Sequence, residues 1–522
     1  MSADDIPLLD LSASLANGLK VLTFGFAIYT LYGGIWRLYL SPVAHIPGPR
    51  FAALSFWNEF YYDVVLGGKY TWKLLDYHEK YGPVIRINPY EVHIHDPEFY
   101  DELYVGSSKA KTDKWYWSMR MFGQQDVSAF DTLDHDKHRQ RREPWNPFFS
   151  KQSVTRLQPS LIQAVVDKLC TRLAEYQSAG KPAVMTHAFA CVTTDIISEY
   201  SFPQGYNLLD KPEFDSQHYE AWMSLSRVSH ALKQFGWLYP VLDAMPMWVT
   251  KYTSPEMYLV LQTQKVLLQQ SIAISKQRDN PQYKESGRPS MIQAFMDSPS
   301  LPESEKRPER IKGEAQIAIG AGTLTTTHAL KAATYHVLAN PAIHAQLMTE
   351  LENHIPDPTS PPNLRQLEQM PYLTCIMHET FRVFYGNSHR LQRIFRTAIR
   401  YQNIVIPPGT PISMSTVHVH DNPRAFPDPY TFDPSRWQGP SPPYKYIVPF
   451  GRGSRQCVGM ELAKAEFLTT LANVFRRFGR EMVLHETVRE RDIDTVYDVF
   501  NPLPSRESNG LMVMIKPKEG EE

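Results

Sequence analysis

The 522-residue chain carries 54 lysines and arginines against 55 aspartates and glutamates, a net charge of −1, and 43% of its residues are apolar. That balance is ordinary globular composition and argues against a basic nucleic-acid binder or a disordered chain. Four scattered cysteines, Cys170, Cys191, Cys375 and Cys457, make no disulfide framework and point to a reducing compartment. The absence of any Asn-x-Ser/Thr sequon agrees with a catalytic domain kept out of the lumen.

In chain order, Leu11 to Leu40 comes first. No charge occurs from Val21 to Trp36, and the stretch is long enough to cross a hydrocarbon core of roughly 30 Å, with Lys20 or Arg37 snorkelling and Tyr29, Tyr32, Trp36 and Tyr39 at an interface. Asp4, Asp5 and Asp10 precede it, so it reads as an uncleaved anchor and not a signal peptide. Arg37 and Arg50 follow it, which predicts a cytoplasmic large domain. His45-Ile46-Pro47-Gly48-Pro49-Arg50 then forbids helix and stiffens a linker. Val84–Asn88 and Glu91–His95 alternate with period two and predict a surface hairpin.

Trp115 to Phe130 is rich in aromatics and methionine, and Asp134 to Arg142 is a charged helical run whose default is a solvated face. Residues 156–280 read mainly as helices; Phe235 to Tyr252 is unusually apolar for a connection. Arg310 to Asn340 predicts one long helix with Gly320-Ala321-Gly322-Thr323-Leu324-Thr325-Thr326 at its centre. Two mid-helix glycines cost about 1 kcal/mol each relative to alanine, and a flat ring lying on that face would compensate. Thr325 can bond back to the Ala321 carbonyl and open a groove. Tyr372 to Tyr385 predicts a helix on which Glu379 and Arg382, three apart, share a face.

The stretch Phe450-Gly451-Arg452-Gly453-Ser454-Arg455-Gln456-Cys457-Val458-Gly459 leads into a predicted helix from Met460 to Phe478. Amides and the helix dipole at Cys457 favour thiolate, Gly453 and Gly459 allow close backbone approach to a flat object, and Arg455 offers a guanidinium to a carboxylate. A thiolate with those neighbours suits a haem whose iron takes sulfur. A zinc site lacks a second ligand at the right spacing, a catalytic thiol needs a positioned histidine, and a plain buried cysteine explains none of the flanking residues.

This stretch resembles the haem-binding signature of the cytochrome P-450 family, F-x-x-G-x-R-x-C-x-G, at every fixed position. The resemblance implies a mainly α fold with small β-sheets, one large domain behind a transmembrane helix: anchor 1–40, proline hinge 41–50, catalytic domain 51–522. It implies haem b ligated by Cys457, with Phe450, Arg455, Ala321 and Gly322 against it. His138-x-x-x-Arg142 stands where the family has Trp-x-x-x-Arg, both reaching a propionate, and Arg393 is a further propionate partner. Lys137, Arg139 and Arg141 would remain on the outer face to receive an acidic electron donor. Arg436 joins Glu379 and Arg382 in a buried structural triad. Thr325 falls on the threonine of the oxygen-binding motif, while Leu324 replaces its usual acid. The Trp115–Phe130 region would overlie the haem, and Phe235–Tyr252 would roof the substrate channel and dip into the membrane.

The function so implied is a monooxygenase of the endoplasmic reticulum membrane that hydroxylates or epoxidises a lipophilic molecule, a terpenoid or related secondary metabolite. Its electrons would come from NADPH through a separate reductase, with cytochrome b5 as a further donor. Asn146-Pro147-Phe148-Phe149-Ser150 and Ser388-His389-Arg390-Leu391 resemble the fungal trichodiene-oxygenase-like branch. An isomerase or dehydratase working without O2 or reductase is the alternative to which Leu324 points, and a non-catalytic haem protein is the third.

Overall fold

The structure, a computed structural model, describes residues 8–123, 126–277 and 290–517. Asp4, Asp5 and residues 124 and 125 of the aromatic stretch therefore lie outside it. The principal elements are α1 (Leu8–Ile35), α2 (Tyr70–Tyr81), β1 (Val84–Arg86), β2 (Val92–Ile94), β3 (Thr112–Asp113), α3 (His135–Arg142), α4 (Met185–Ser201) and α5 (Ser216–Gln234). They continue with α6 (Pro255–Gln277), α7 (Pro308–Ala339), α8 (Pro371–Phe384), β4 (Arg393–Phe395), β5 (Pro411–Ser413), α9 (Met460–Phe478), β6 (Tyr497–Val499) and β7 (Asn501–Leu503). Helices dominate, as the sequence predicts.

Helix α1 stands apart. Gly18, Gly25 and Gly33 have nothing within 4 Å of where a Cβ would sit, and its leucines and phenylalanines from Leu15 onward are exposed. Ser14–Leu40 is long and apolar enough to cross a membrane. The chain beyond it is firmly stitched to the globule. The Arg37 guanidinium donates to Leu54 O (2.7 Å), Arg86 Nη1 donates to Arg37 O (2.6 Å), and the Arg86 amide donates to Pro47 O (2.7 Å). Gly48 runs so close to Arg86 that a Cβ would meet its carbonyl oxygen at 2.3 Å. The proline linker is thus laid along the sheet.

The expected hairpin forms, with Val84 opposite Ile94 and Arg86 opposite Val92. Its placement corrects the sequence reading: all six residues are buried. The reason is tertiary. β2 also pairs in parallel with β5, giving a five-stranded sheet in the order β1-β2-β5-β4-β3, while Tyr70 and Leu74 of α2 pack on Ile85 and Ile87.

Helix α7 is the axis of the main core. It starts with Pro308 in its first turn, where the missing N–H is no loss. Against α4 it packs through a hydroxyl ladder: Thr193 Oγ1 lies 3.0 Å from Thr327 Oγ1, and Thr194 Oγ1 lies 2.9 Å from Thr323 Oγ1. Polar groups this deeply buried must be paired, and these pair with each other. The large apolar cluster around α4, α7, α8 and α9 holds the cysteine loop against α7.

Candidate active site

The loop before α9 is closed by its own backbone: the Cys457 amide donates to Phe450 O at 2.9 Å. Phe450 stands edge-on to Phe381 of α8, centroids 5.2 Å apart. Gly451 and Gly453 have φ of 62° and 76°, which L side chains rarely adopt. Gly453 is also where Val105 O comes within 2.3 Å of a would-be Cβ, whereas Gly459 meets only ordinary contacts with Phe149 at 3.8 Å. Gly453 therefore serves the turn and the protein's own backbone and not a flat ring, while a Cβ on Gly459 would lie 4.0 Å from Cys457 Sγ.

The Cys457 sulfur is solvent-accessible although the loop lies deep in the fold, so it faces an internal void. Burial raises the thiol pKa, and the Gly459 N–H and the Arg142 charge only partly oppose that. The expected thiolate is thus not made by the helix terminus alone. A bound metal ion is what completes the deprotonation.

The middle of α7 has an accessible face of its own. Ala321 is exposed although most of the flanking helix is buried, and Thr325 is half-buried. Thr325 Oγ1 donates to Ala321 O at 2.9 Å. The glycines beside them face elsewhere. A Cβ on Gly320 would meet Trp222 of α5 at 2.8 Å, and one on Gly322 would meet Ile197 of α4 at 2.8 Å. Gly322 is therefore a helix-crossing residue, and the ring-contact reading of it is corrected. Leu324 is buried in the core cluster, so the missing acid is a packing choice.

Beside the void the structure gathers cations. Lys114, His138, Arg142, Arg393 and Arg455 lie close enough to depress one another's protonation. Arg455 donates to Thr132 O and Leu133 O at 2.5 and 2.7 Å, yet its Nε is buried without a partner and its pKa falls to about 9, chiefly through burial and then Arg393. Arg393 is 4% exposed and lies over the Tyr104 ring, centroid 5.0 Å away. Arg142 donates to Gln456 O in the cysteine loop and to Asn146 Oδ1 (3.2 Å). Lys114 is buried, donates to Phe130 O and sits 3.6 Å from the Phe130 ring centroid. Burial first, then Arg455 and Arg393, push its pKa well below the ordinary lysine value. Such crowding of like charge is stable only with an anion to neutralise it. Two carboxylates, as haem carries, fit. Lys114 was missed in the sequence because a lone lysine before an aromatic run carries no motif.

Below the loop, Glu379 and Arg382 are fully buried and 2.7 Å apart. Arg436 Nε lies 3.4 Å from Glu379 Oε1, and the Trp437 indole N–H donates to Glu379 Oε2 at 3.0 Å. Arg382 reaches on to the carbonyls of Pro429 (2.6 Å) and Thr431 (3.0 Å). On α3, Asp134 caps the helix by accepting from Lys137 N at 2.8 Å. The expected outer face is smaller than the sequence implies: Arg141 is 2% exposed and bidentate to Glu305 (2.8 and 2.9 Å), and Lys137 pairs with Asp126 at 2.5 Å. Charge periodicity alone did not reveal these acids in distant segments. Arg139 remains exposed.

Phe122 meets Phe130 and Phe500 edge-on at 5.1 and 4.8 Å, an aromatic cluster from two distant segments. Between α5 and α6, Trp237, Trp248 and Tyr252 are 65%, 70% and 81% exposed. Comparison with known proteins agrees with this geometry. The family model described as Cytochrome P-450 matches residues 47–504. The chain is 39% identical to Tryptophan 6-hydroxylase fscE of Fusarium equiseti, covering 96% of this chain and 97% of that one. It is 40% identical to Cytochrome P-450 monooxygenase tpcC of Cochliobolus heterostrophus, covering 97% and 98%. It is 39% identical to N-acetyltryptophan 6-hydroxylase ivoC of Emericella nidulans, covering 96% and 97%.

Proposed function

This chain belongs to the cytochrome P-450 family and is a haem-thiolate monooxygenase, and we propose that it hydroxylates or epoxidises a lipophilic small molecule of secondary metabolism. The observation that carries the reading is the accessible Cys457, the Thr325–Ala321 bond in the middle of α7, and the basic cluster of Arg142, Arg393 and Arg455 with Lys114 and His138. Haem bound there supplies activation of O2, and sulfur donation favours O–O cleavage. The chain supplies the rest. Cys457 holds the metal, with the Gly459 N–H and Arg142 stabilising its charge. Arg142, His138, Arg393, Arg455 and Lys114 hold the propionates. Thr325 carries protons to the oxygen side, its hydroxyl oriented by Ala321 O. Glu379, Arg382 and Arg436 keep the loop rigid.

Electrons come from NADPH through a separate reductase docking at Arg139, with cytochrome b5 as a further donor. Residues 1–40 anchor the protein in the endoplasmic reticulum membrane, 41–50 join, and 51–522 face the cytoplasm. A terpenoid substrate is one option from the branch resemblance. The tryptophan and N-acetyltryptophan in two relatives' names widen the reading to aromatic substrates.

The experiment is a carbon monoxide difference spectrum of the reduced protein, then turnover of a substrate panel with and without NADPH and reductase. A thiolate-type band with NADPH-dependent product is expected. Turnover that ignores NADPH would replace this reading with the isomerase one, and absence of the band in folded, haem-loaded protein would remove Cys457 as ligand.

A further inference from the structure

A cavity of about 700 Å³ opens between residues 116–123 with Val127 and the segment 234–243, walled by Tyr116, Arg120, Gly236, Trp237, Tyr239 and Asp243. Arg120 is the unusual member. Its guanidinium lies over the Tyr116 ring, 4.8 Å from the centroid. On the other side the chain passes so close that a Cβ on Gly236 would meet Arg120 Cδ at 2.7 Å, Nε at 2.9 Å and Cζ at 3.2 Å. The side chain therefore lies between a ring and a backbone.

Yet among the described residues that guanidinium makes no hydrogen bond and no ion pair. A half-buried arginine free of partners normally swings into solvent, because its side chain carries about 2 kcal/mol of rotamer entropy. Here a stacking ring and a glycine hold it in place. Stacking uses the faces of the guanidinium and leaves its N–H edge free, which is the edge that binds a carboxylate with two parallel bonds. The one acid on the cavity wall, Asp243, is exposed, forms no ion pair with Arg120, and has the buried Lys312 as its electrostatic neighbour. The turn Arg120–Phe122 ends in Phe122, which meets Phe500 edge-on at 4.8 Å.

We propose that Arg120 is a specificity-determining residue that captures the carboxylate of the substrate, making the preferred substrate class lipophilic or aromatic carboxylic acids. The proposal rests on the monooxygenase reading and narrows its substrate. Tyr116 and Gly236 are positioning residues for that guanidinium, and Trp237 and Tyr239 offer the apolar wall.

The test is a spin-state titration of the full-length, haem-loaded protein in detergent with N-acetyltryptophan, indole-3-acetate and dodecanoate, each beside its methyl ester. At least one acid should bind more tightly than its ester. Arg120→Gln should weaken that acid by roughly 10- to 100-fold and leave the ester unchanged, Arg120→Lys should keep part of the preference, and Gly236→Ala should lose part of it. The proposal is overturned if no acid binds, if the esters bind as well as the acids, or if Arg120→Gln leaves the acid-to-ester ratio intact. The reduced carbon monoxide band, read on the same samples, separates the two claims: with the band present, any of those results sinks only the carboxylate assignment.

Discussion

Thr325 Oγ1 is bonded to the Ala321 carbonyl at 2.9 Å, and these two residues are the part of α7 that opens on the cysteine sulfur's void. The bond places a hydroxyl and a carbonyl together on this face of an unbroken helix. With leucine at 324 buried, Thr325 is the proton-bearing side chain at this point of α7. Thr325→Ala should cut product formation on the order of 10-fold or more, with the reducing equivalents appearing as hydrogen peroxide. Coupling equal to the wild type would remove Thr325 from the relay.

Lys114 offers a test with opposite signs in two states. Its buried ammonium is crowded by Arg455 and Arg393, so its pKa falls well below 10.5. A base depressed in this way opposes folding at neutral pH, and the stability it removes returns only as pH rises toward its unfolded value. Lys114→Met should raise the melting temperature of haem-free protein. It should also speed haem loss to apomyoglobin, because a propionate partner is gone. A fall in both would make Lys114 merely structural.

The Glu379–Arg382 pair is fully buried, and breaking one side strands the other charge. Glu379→Gln should destabilise the fold by about 3–5 kcal/mol. The haem-to-protein ratio and thermal unfolding read the effect; a near-normal ratio would show that Arg382 is held by its carbonyl partners alone.

His420 links the helix carrying that pair to the cysteine loop. Its Nδ1–H donates to Arg382 O at 2.9 Å, and its Nε2 accepts the Val448 amide at 2.8 Å. Only the neutral ring does both, and burial pushes its pKa down to about 3; His78 and His336 are likewise pushed to about 3. Unfolded histidine titrates near 6.5. Because the folded values are depressed, the stability held here is whole above about pH 6.5 and drains away as pH falls toward 3. The urea midpoint should drop between pH 7.5 and pH 5, and His420→Gln should reduce proton uptake on unfolding at pH 5 by about one. A midpoint flat over that range would contradict the prediction.

With Arg141 and Lys137 paired to acids, Arg139 is exposed on α3 and makes no ion pair among the described residues. Arg139→Glu should slow reductase-supported reduction by roughly 10-fold at low salt and converge with wild type at high salt. The dithionite-reduced spectrum should not change. An equal rate at low salt would move the donor's dock elsewhere.

Much of this architecture is legible in the residues. Helix α9 spans Met460–Phe478 as its apolar stripe predicts, and α7 and α8 fall within two residues of expectation. Such boundaries are local, set by glycine, proline and periodicity. What eluded the sequence is non-local. The hairpin's burial depends on β5, over 300 residues downstream. Arg141 is claimed by Glu305, and Gly322 answers to Ile197 on another helix. Lys114 acquires meaning only when Arg393 and Arg455 arrive beside it.

The stitching of the N-terminal segment has a mechanical result. With Pro47 and Gly48 pinned to Arg86, and Arg37 tied to Leu54, the apolar helix leaves the globule in one direction only. It behaves as a mast and not as a leash. Planted in a bilayer, α1 would set the tilt and height of the whole body with it, and with them the level of the exposed Trp237, Trp248 and Tyr252.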